Sequence, residues 1–133
     1  MKPVHLSVAL ALVVAAAAVA PATLAAPPQL VAPAVFAKAV AQKGTVTINV
    51  HVPDEGSLAG TDLWIPFDRV AASRARLPAR KTTPLAVYCR SGRMSAIAVR
   101  ELARLGYGNI VELRGGMVAW EASSRRLLPP GSG

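Results

Sequence analysis

The single cysteine of this 133-residue chain, Cys89, closes an apolar run (Leu85-Ala86-Val87-Tyr88) and opens the segment Arg90-Ser91-Gly92-Arg93-Met94-Ser95. With no second cysteine it cannot form an intramolecular disulfide, so it is either a small buried hydrophobe or a thiol with a task. Its neighbours argue for a task. If the apolar run is a central strand and a helix begins near Ser95, the sulfur faces the crevice beyond the strand ends, where open α/β sheets bind ligands. The amides after it can curl around the sulfur, and the helix start adds partial positive charge. Gly92 allows the tight curl, and Arg90 and Arg93 bring two full positive charges. Each feature favours thiolate over thiol and attracts an anionic substrate. The same ring of amides suits a second, negatively charged sulfur bonded to Cys89.

Positioning that segment requires strands on both sides of it. Thr45–Val50 is β-branched and predicts a buried strand, Leu63-Trp64-Ile65 a very short one, Leu85–Cys89 a second continuous apolar strand, and Asn109–Leu113 a third. Helices are expected over Ala34–Gln42, over Arg69–Arg76 with Asp68 as cap, from a Ser95 cap through Leu105, and over Met117–Ser124 after Gly115-Gly116. In the helix after Cys89, Ala98, Leu102 and Leu105 share a face opposite Arg100, Glu101 and Arg104, and Gly106 is placed as its C-terminal stop. Val52–Asp62, with Pro53, Asp54, Gly56 and Gly60, and the basic stretch Leu77–Pro84 read as loops. Strands alternating with helices predict a small α/β domain with a central parallel sheet flanked by helices on both faces.

Residues 1–25 stand apart. A basic start containing Lys2 is followed by an apolar run from Leu6 to Ala20, interrupted by Ser7, and then by the small-residue stretch Pro21–Ala26. That order is the plan of a cleaved signal peptide, with cuts expected after Ala22 or Ala25, and it directs the protein out of the cytoplasm to the periplasm. The run is too short to span a bilayer comfortably, so no membrane span is expected after cleavage. Residues 26–44 form a lead-in and first helix, 45–126 the domain, and 127–133 a tail. The formal net charge is +8, and the leader accounts for one positive charge, Lys2. Scattered arginines and few aromatics argue against nucleic acid; small anions fit better. One cysteine and two histidines, His5 and His51, are too few for a multidentate His/Cys metal site.

Leu85–Ser95, with Leu102, Leu105-Gly106-Tyr107, Asn109-Ile110-Val111 and Gly115-Gly116-Met117-Val118-Ala119-Trp120, resembles the rhodanese-homology sulfurtransferases over about Thr45 to Arg126. The resemblance implies a small α/β fold and a persulfide on Cys89. It also implies that the loop Arg90, Ser91, Gly92, Arg93, Met94 and Ser95 binds substrate, with no cofactor or metal. Cysteine followed by arginine is similar to the branch that uses thiosulfate; the mercaptopyruvate-using branch typically has glycine there. Expected partners are a small anionic sulfur donor and a thiol or cyanide acceptor. Two places depart from the pattern. Asn49-Val50-His51 stands where the family has Asp-Val-Arg, and Gly60-Thr61-Asp62 stands where it has Gly-His-Ile. Since those family residues are mostly structural ties, the departures bear on the first loop's geometry more than on the reaction. They leave His51 open between a structural and a pocket role.

Other roles stay open too. Trp120, Trp64 and Phe67 fit the core, with Trp64 and Phe67 as alternative crevice walls, and Arg114 is either a surface arginine or a crevice residue. A non-catalytic sulfur-binding or partner-docking module is one rival function. A cysteine-dependent phosphatase or arsenate reductase is another, although those loops carry arginine six places after cysteine, where this chain has Ser95.

Overall fold

The computed structural model describes residues 1–5, 7–18 and 25–132. Among them, five strands form one all-parallel sheet: β1 (Gln29–Val31), β2 (Val46–Asn49), β3 (Leu63–Trp64), β4 (Leu85–Tyr88) and β5 (Ile110–Leu113), in the order β1-β5-β4-β2-β3. Three helices accompany them, α1 (Pro33–Ala41), α2 (Arg93–Arg104) and α3 (Gly116–Ala122). This is the expected α/β architecture. β4 lies at the centre, and all four of its residues are buried, which is why its sequence is an unbroken apolar run.

The pleat of β4 divides the core. Leu85, Val87 and, just beyond the strand, Cys89 join Ile48, Val50, Ala98, Val99 and Leu102 on the α2 side. Ala86 and Tyr88 join Phe36, Leu58, Leu113, Met117 and Trp120 on the α1 and α3 side. Phe36 meets the rings of both Tyr88 and Trp120 edge to face, with centroids 6.2 and 6.4 Å apart. Trp120 is therefore a core residue.

Several local expectations are corrected. The lead-in contains β1, an edge strand that pairs with β5 through Gln29↔Val111 and Val31↔Leu113; three residues flanked by prolines carry too little pattern to announce a strand. No α-helix covers Arg69–Arg76: turns lead into a single 3-10 turn at Arg74–Arg76, and Asp68 caps nothing. Trp64 is 44% exposed rather than core, and its Nε1–H donates to the His51 carbonyl at 2.7 Å. Arg114, by contrast, is exposed, in keeping with the surface reading, and donates to the Leu30 carbonyl of the edge strand at 3.2 Å.

The C-terminal end of α2 is as expected. Gly106 (φ 101°) donates to the Ala103 carbonyl and Tyr107 to that of Leu102, the paired bonds that close a helix on a left-handed glycine. Residues 1–5 and 7–18 are exposed and carry no helix or strand; of the expected cleavage sites, that after Ala22 lies outside the described residues, as do residues 23 and 24 before the one after Ala25. Among the described residues no helix is long and apolar enough to cross a membrane.

Candidate functional site

Cys89 sits one residue beyond β4, at the carboxyl edge of the sheet, and is 1% exposed. The turn after it is tighter than the sequence suggests. Gly92, at φ 114°, is the N-cap of α2, so the helix starts at Arg93 and only Arg90-Ser91-Gly92 separate Cys89 from it. The expected cap, Ser95, lies instead inside the first turn of the helix, with no exposure at all. A glycine cap suits this place because the backbone conformation, rather than a side-chain oxygen, is what the turn demands.

The curl brings the Gly92 N–H to 3.0 Å from the Cys89 Sγ. On the other side Ser95 Oγ lies 3.4 Å from the sulfur and 2.7 Å from Glu112 Oε1. Glu112 is a buried residue of β5, 7% exposed, and no reading of the sequence singled it out. Its signal was visible: one acid in the strand Ile110-Val111-Glu112-Leu113, otherwise apolar.

Two residues that stand close in sequence diverge in surroundings. Arg90 pairs with Glu55 at 3.0 Å, and the same Glu55 oxygen lies 3.0 Å from His51 Nε2. Arg93 is exposed and makes no ion pair among the described residues. Ser91 is exposed as well, while Met94 packs against the α2-side core. His51 is thus a tie between the first loop and Arg90. Asn49, buried in the place of the family's acid, accepts the His51 N–H at 3.0 Å and donates through Nδ2 to the Gly56 carbonyl at 3.1 Å. An aspartate could accept the first bond but could not donate the second. The departure from Asp-Val-Arg therefore keeps the loop fastened by other means.

Behind the turn, the amides of Met117 and Val118 donate to the carbonyls of Cys89 and Arg90 at 2.9 and 3.0 Å. Gly115 and Gly116, at φ 74° and 58°, lead the start of α3 into that contact. A hollow of the surface lies elsewhere. A cleft of about 370 Å³ lies among Asn49, Ser57, Thr61, Asp62, Leu63 and Trp64, and no residue from Cys89 to Ser95 lines it.

A family model described as the rhodanese-like domain matches residues 42–123. The chain is 32% identical over 68 residues to a sulfurtransferase of Allochromatium vinosum, covering 51% of this chain and 62% of that one. It is 30% identical over 96 residues to the chloroplastic rhodanese-like domain-containing protein 15 of Arabidopsis thaliana, covering 63% and 53%. The chain thus spans less than two thirds of either relative. Among solved structures, a rhodanese-related protein from Thermoplasma volcanium superposes with a TM-score of 0.62 at 25% identity, over 75% of this chain and 97% of that one. The match takes in the cysteine turn, the glycine pair behind it and more than half of the chain, and on that ground the protein belongs to the rhodanese-like domain family.

Proposed function

We propose that this protein is an exported sulfurtransferase that carries sulfane sulfur as a persulfide on Cys89. Thiosulfate or a similar anion is the donor, and a thiol or cyanide is the acceptor. The observation that carries this reading is the Gly92 amide aimed at the Cys89 sulfur at 3.0 Å. The bond is made at the mouth of a turn flanked by Arg90 and Arg93. Transfer runs in two displacements. The Cys89 thiolate attacks the outer sulfur of thiosulfate, the S–S bond of the donor breaks, and sulfite leaves with the bonding pair. The acceptor then attacks the outer sulfur of the persulfide and returns Cys89 as thiolate. The exposed Arg93 offsets donor charge, and the turn's amides and the start of α2 hold the added sulfur.

The test is thiocyanate production from thiosulfate and cyanide, with intact mass measured before and after thiosulfate. The parent is expected to gain one sulfur that dithiothreitol removes, and Cys89→Ser to gain none and make no thiocyanate. Thiocyanate production by Cys89→Ser would remove Cys89 from the reaction. A sulfur-binding or docking module with negligible turnover is the second reading, favoured by the 1% exposure of Cys89; it predicts the mass gain without steady turnover.

Export rests on the composition of residues 1–25. Protein recovered from outside the cytoplasm of a bacterial host should begin near Thr23 or Ala26. A mass retaining residues 1–20 would show a kept leader.

A further inference from the structure

Buried carboxylates are rare unless paired, yet Glu112, 7% exposed, makes no ion pair among the described residues. Its hydrogen-bond partner is Ser95, which has no exposure and in turn touches the Cys89 sulfur. A serine hydroxyl has one proton and two lone pairs. Three acceptors compete for that proton, the Glu112 carboxylate at 2.7 Å, the Gly92 carbonyl at 3.2 Å and a Cys89 thiolate at 3.4 Å. The shortest bond, to the carboxylate, takes it. Ser95 then presents a lone pair to the sulfur, which accepts a bond from S–H but opposes S⁻. The carboxylate's own charge acts in the same direction.

We propose that Glu112, acting through the single hydroxyl proton of Ser95, holds the sulfur-free Cys89 as a thiol and so guards the empty site. The Gly92 amide pulls the other way, and the balance between the two sets when the nucleophile appears. Once sulfur is loaded, the inner sulfur is neutral and the negative charge lies on the outer sulfur, one bond farther from Ser95. The constraint therefore falls on the empty state. The inference rests on the reading of Cys89 as the sulfur carrier. Glu112 touches no reacting atom and is a positioning residue.

Other charged groups around β5 do not supply a competing account. β4 offers Tyr88, which lies in the opposite half of the core, and β1 has no titratable side chain. α1 offers only Lys38, which is exposed. α2 carries Arg93, Arg100 and Arg104, all exposed, and the half-exposed Glu101. Arg90 in the turn is paired with Glu55, and Arg114 at the end of β5 is turned to the Leu30 carbonyl.

The experiment is the pH profile of iodoacetamide alkylation of Cys89, which needs no sulfur donor. Because Cys89, Ser95 and Glu112 share protons, the midpoint belongs to the set. Glu112→Gln keeps the shape and removes the charge; its midpoint is expected about one pH unit below the parent's. Glu112→Met, which suits a buried strand position, must move the midpoint in the same direction. In a Ser95→Ala background the effect of Glu112→Gln should fall to less than half. An unchanged or higher midpoint in folded Glu112→Gln and Glu112→Met, or a full effect without Ser95, would overturn the inference. If the shift appears while thiosulfate adds no mass to the parent, the guard on the thiol stands and the sulfur-carrier reading is what fails.

Discussion

The amide of Met117 donates to the carbonyl of Cys89 at 2.9 Å, so the start of α3 is fastened directly to the turn that holds the sulfur. Gly116, one residue earlier, makes this possible. A Cβ on Gly116 would collide with backbone atoms of both Cys89 and Arg90, none of which can swing aside. Its φ of 58° adds the left-handed penalty of any side chain. Gly116→Ala should cost more than about 2 kcal/mol of stability, summing strain and displacement of the turn. It should also lower sulfur loading more than unfolding alone explains. Urea denaturation and intact mass after thiosulfate check the two parts, and parent-like stability would show that the turn yields freely.

A second prediction follows from Glu55. Its carboxylate pairs with Arg90 at 3.0 Å while Arg93 stands exposed without an ion pair among the described residues. The mouth of the turn therefore offers a donor anion less positive charge than its two arginines imply. Glu55→Gln should release Arg90 and lower KM for thiosulfate, and Arg93→Ala should raise it. Each change should be about three- to tenfold at low salt, since partly exposed charges are screened. Both effects should shrink at high salt with kcat little altered. Changes of the same sign in the two variants would dissociate donor binding from charge at the mouth.

Tyr88 supplies a pH prediction. Burial pushes its phenol above the ordinary tyrosine value, against the opposing pull of its hydrogen bonds with the Thr61 hydroxyl and the Leu58 amide. Above about pH 10 the unfolded chain releases the proton that the folded chain keeps, so stability present below that pH is lost as pH rises. Tyr88→Phe should remove this part of the alkaline loss. It should also lower stability near neutrality by about 1–3 kcal/mol, because the Leu58 amide loses its partner. Urea midpoints at pH 7 and above 10 test both signs.

Much of this molecule could be read before its coordinates were known, for physical reasons that differ from place to place. β4 and α2 were legible because one is buried on both sides and the other on one face, and burial writes apolar runs and helical stripes into a sequence. β1 was not, since an edge strand of three residues is held by pairing with β5 rather than by its own composition. The Arg69–Arg76 segment has helix-forming residues but no apolar stripe to bury, and it settles into turns. At the site, Cys89 and its arginines were visible by type. What neutralises or restrains them was not. Glu55 lies thirty-five positions before Arg90 and Glu112 seventeen after Ser95, so their contacts depend on strand order, which no local pattern specifies.

The last prediction separates sulfur from phosphorus. A phosphoryl group over Cys89 needs a ring of amides wide enough for three oxygens and a positively charged fork to close it. The turn here has three residues between Cys89 and the helix, and the place where such a fork would stand holds Ser95, buried and bonded to Glu112. A carboxylate beneath the sulfur opposes a phosphate dianion more strongly than it opposes a persulfide, whose single charge lies at the outer atom. Cys89 is therefore expected to gain one reducible sulfur from thiosulfate and to hydrolyse no aryl phosphate, even in Glu112→Gln, where the repulsion is removed but the ring stays narrow. Release of nitrophenol from its phosphate ester by the pure protein, lost in Cys89→Ser and unaccompanied by any sulfur adduct, would reverse the assignment.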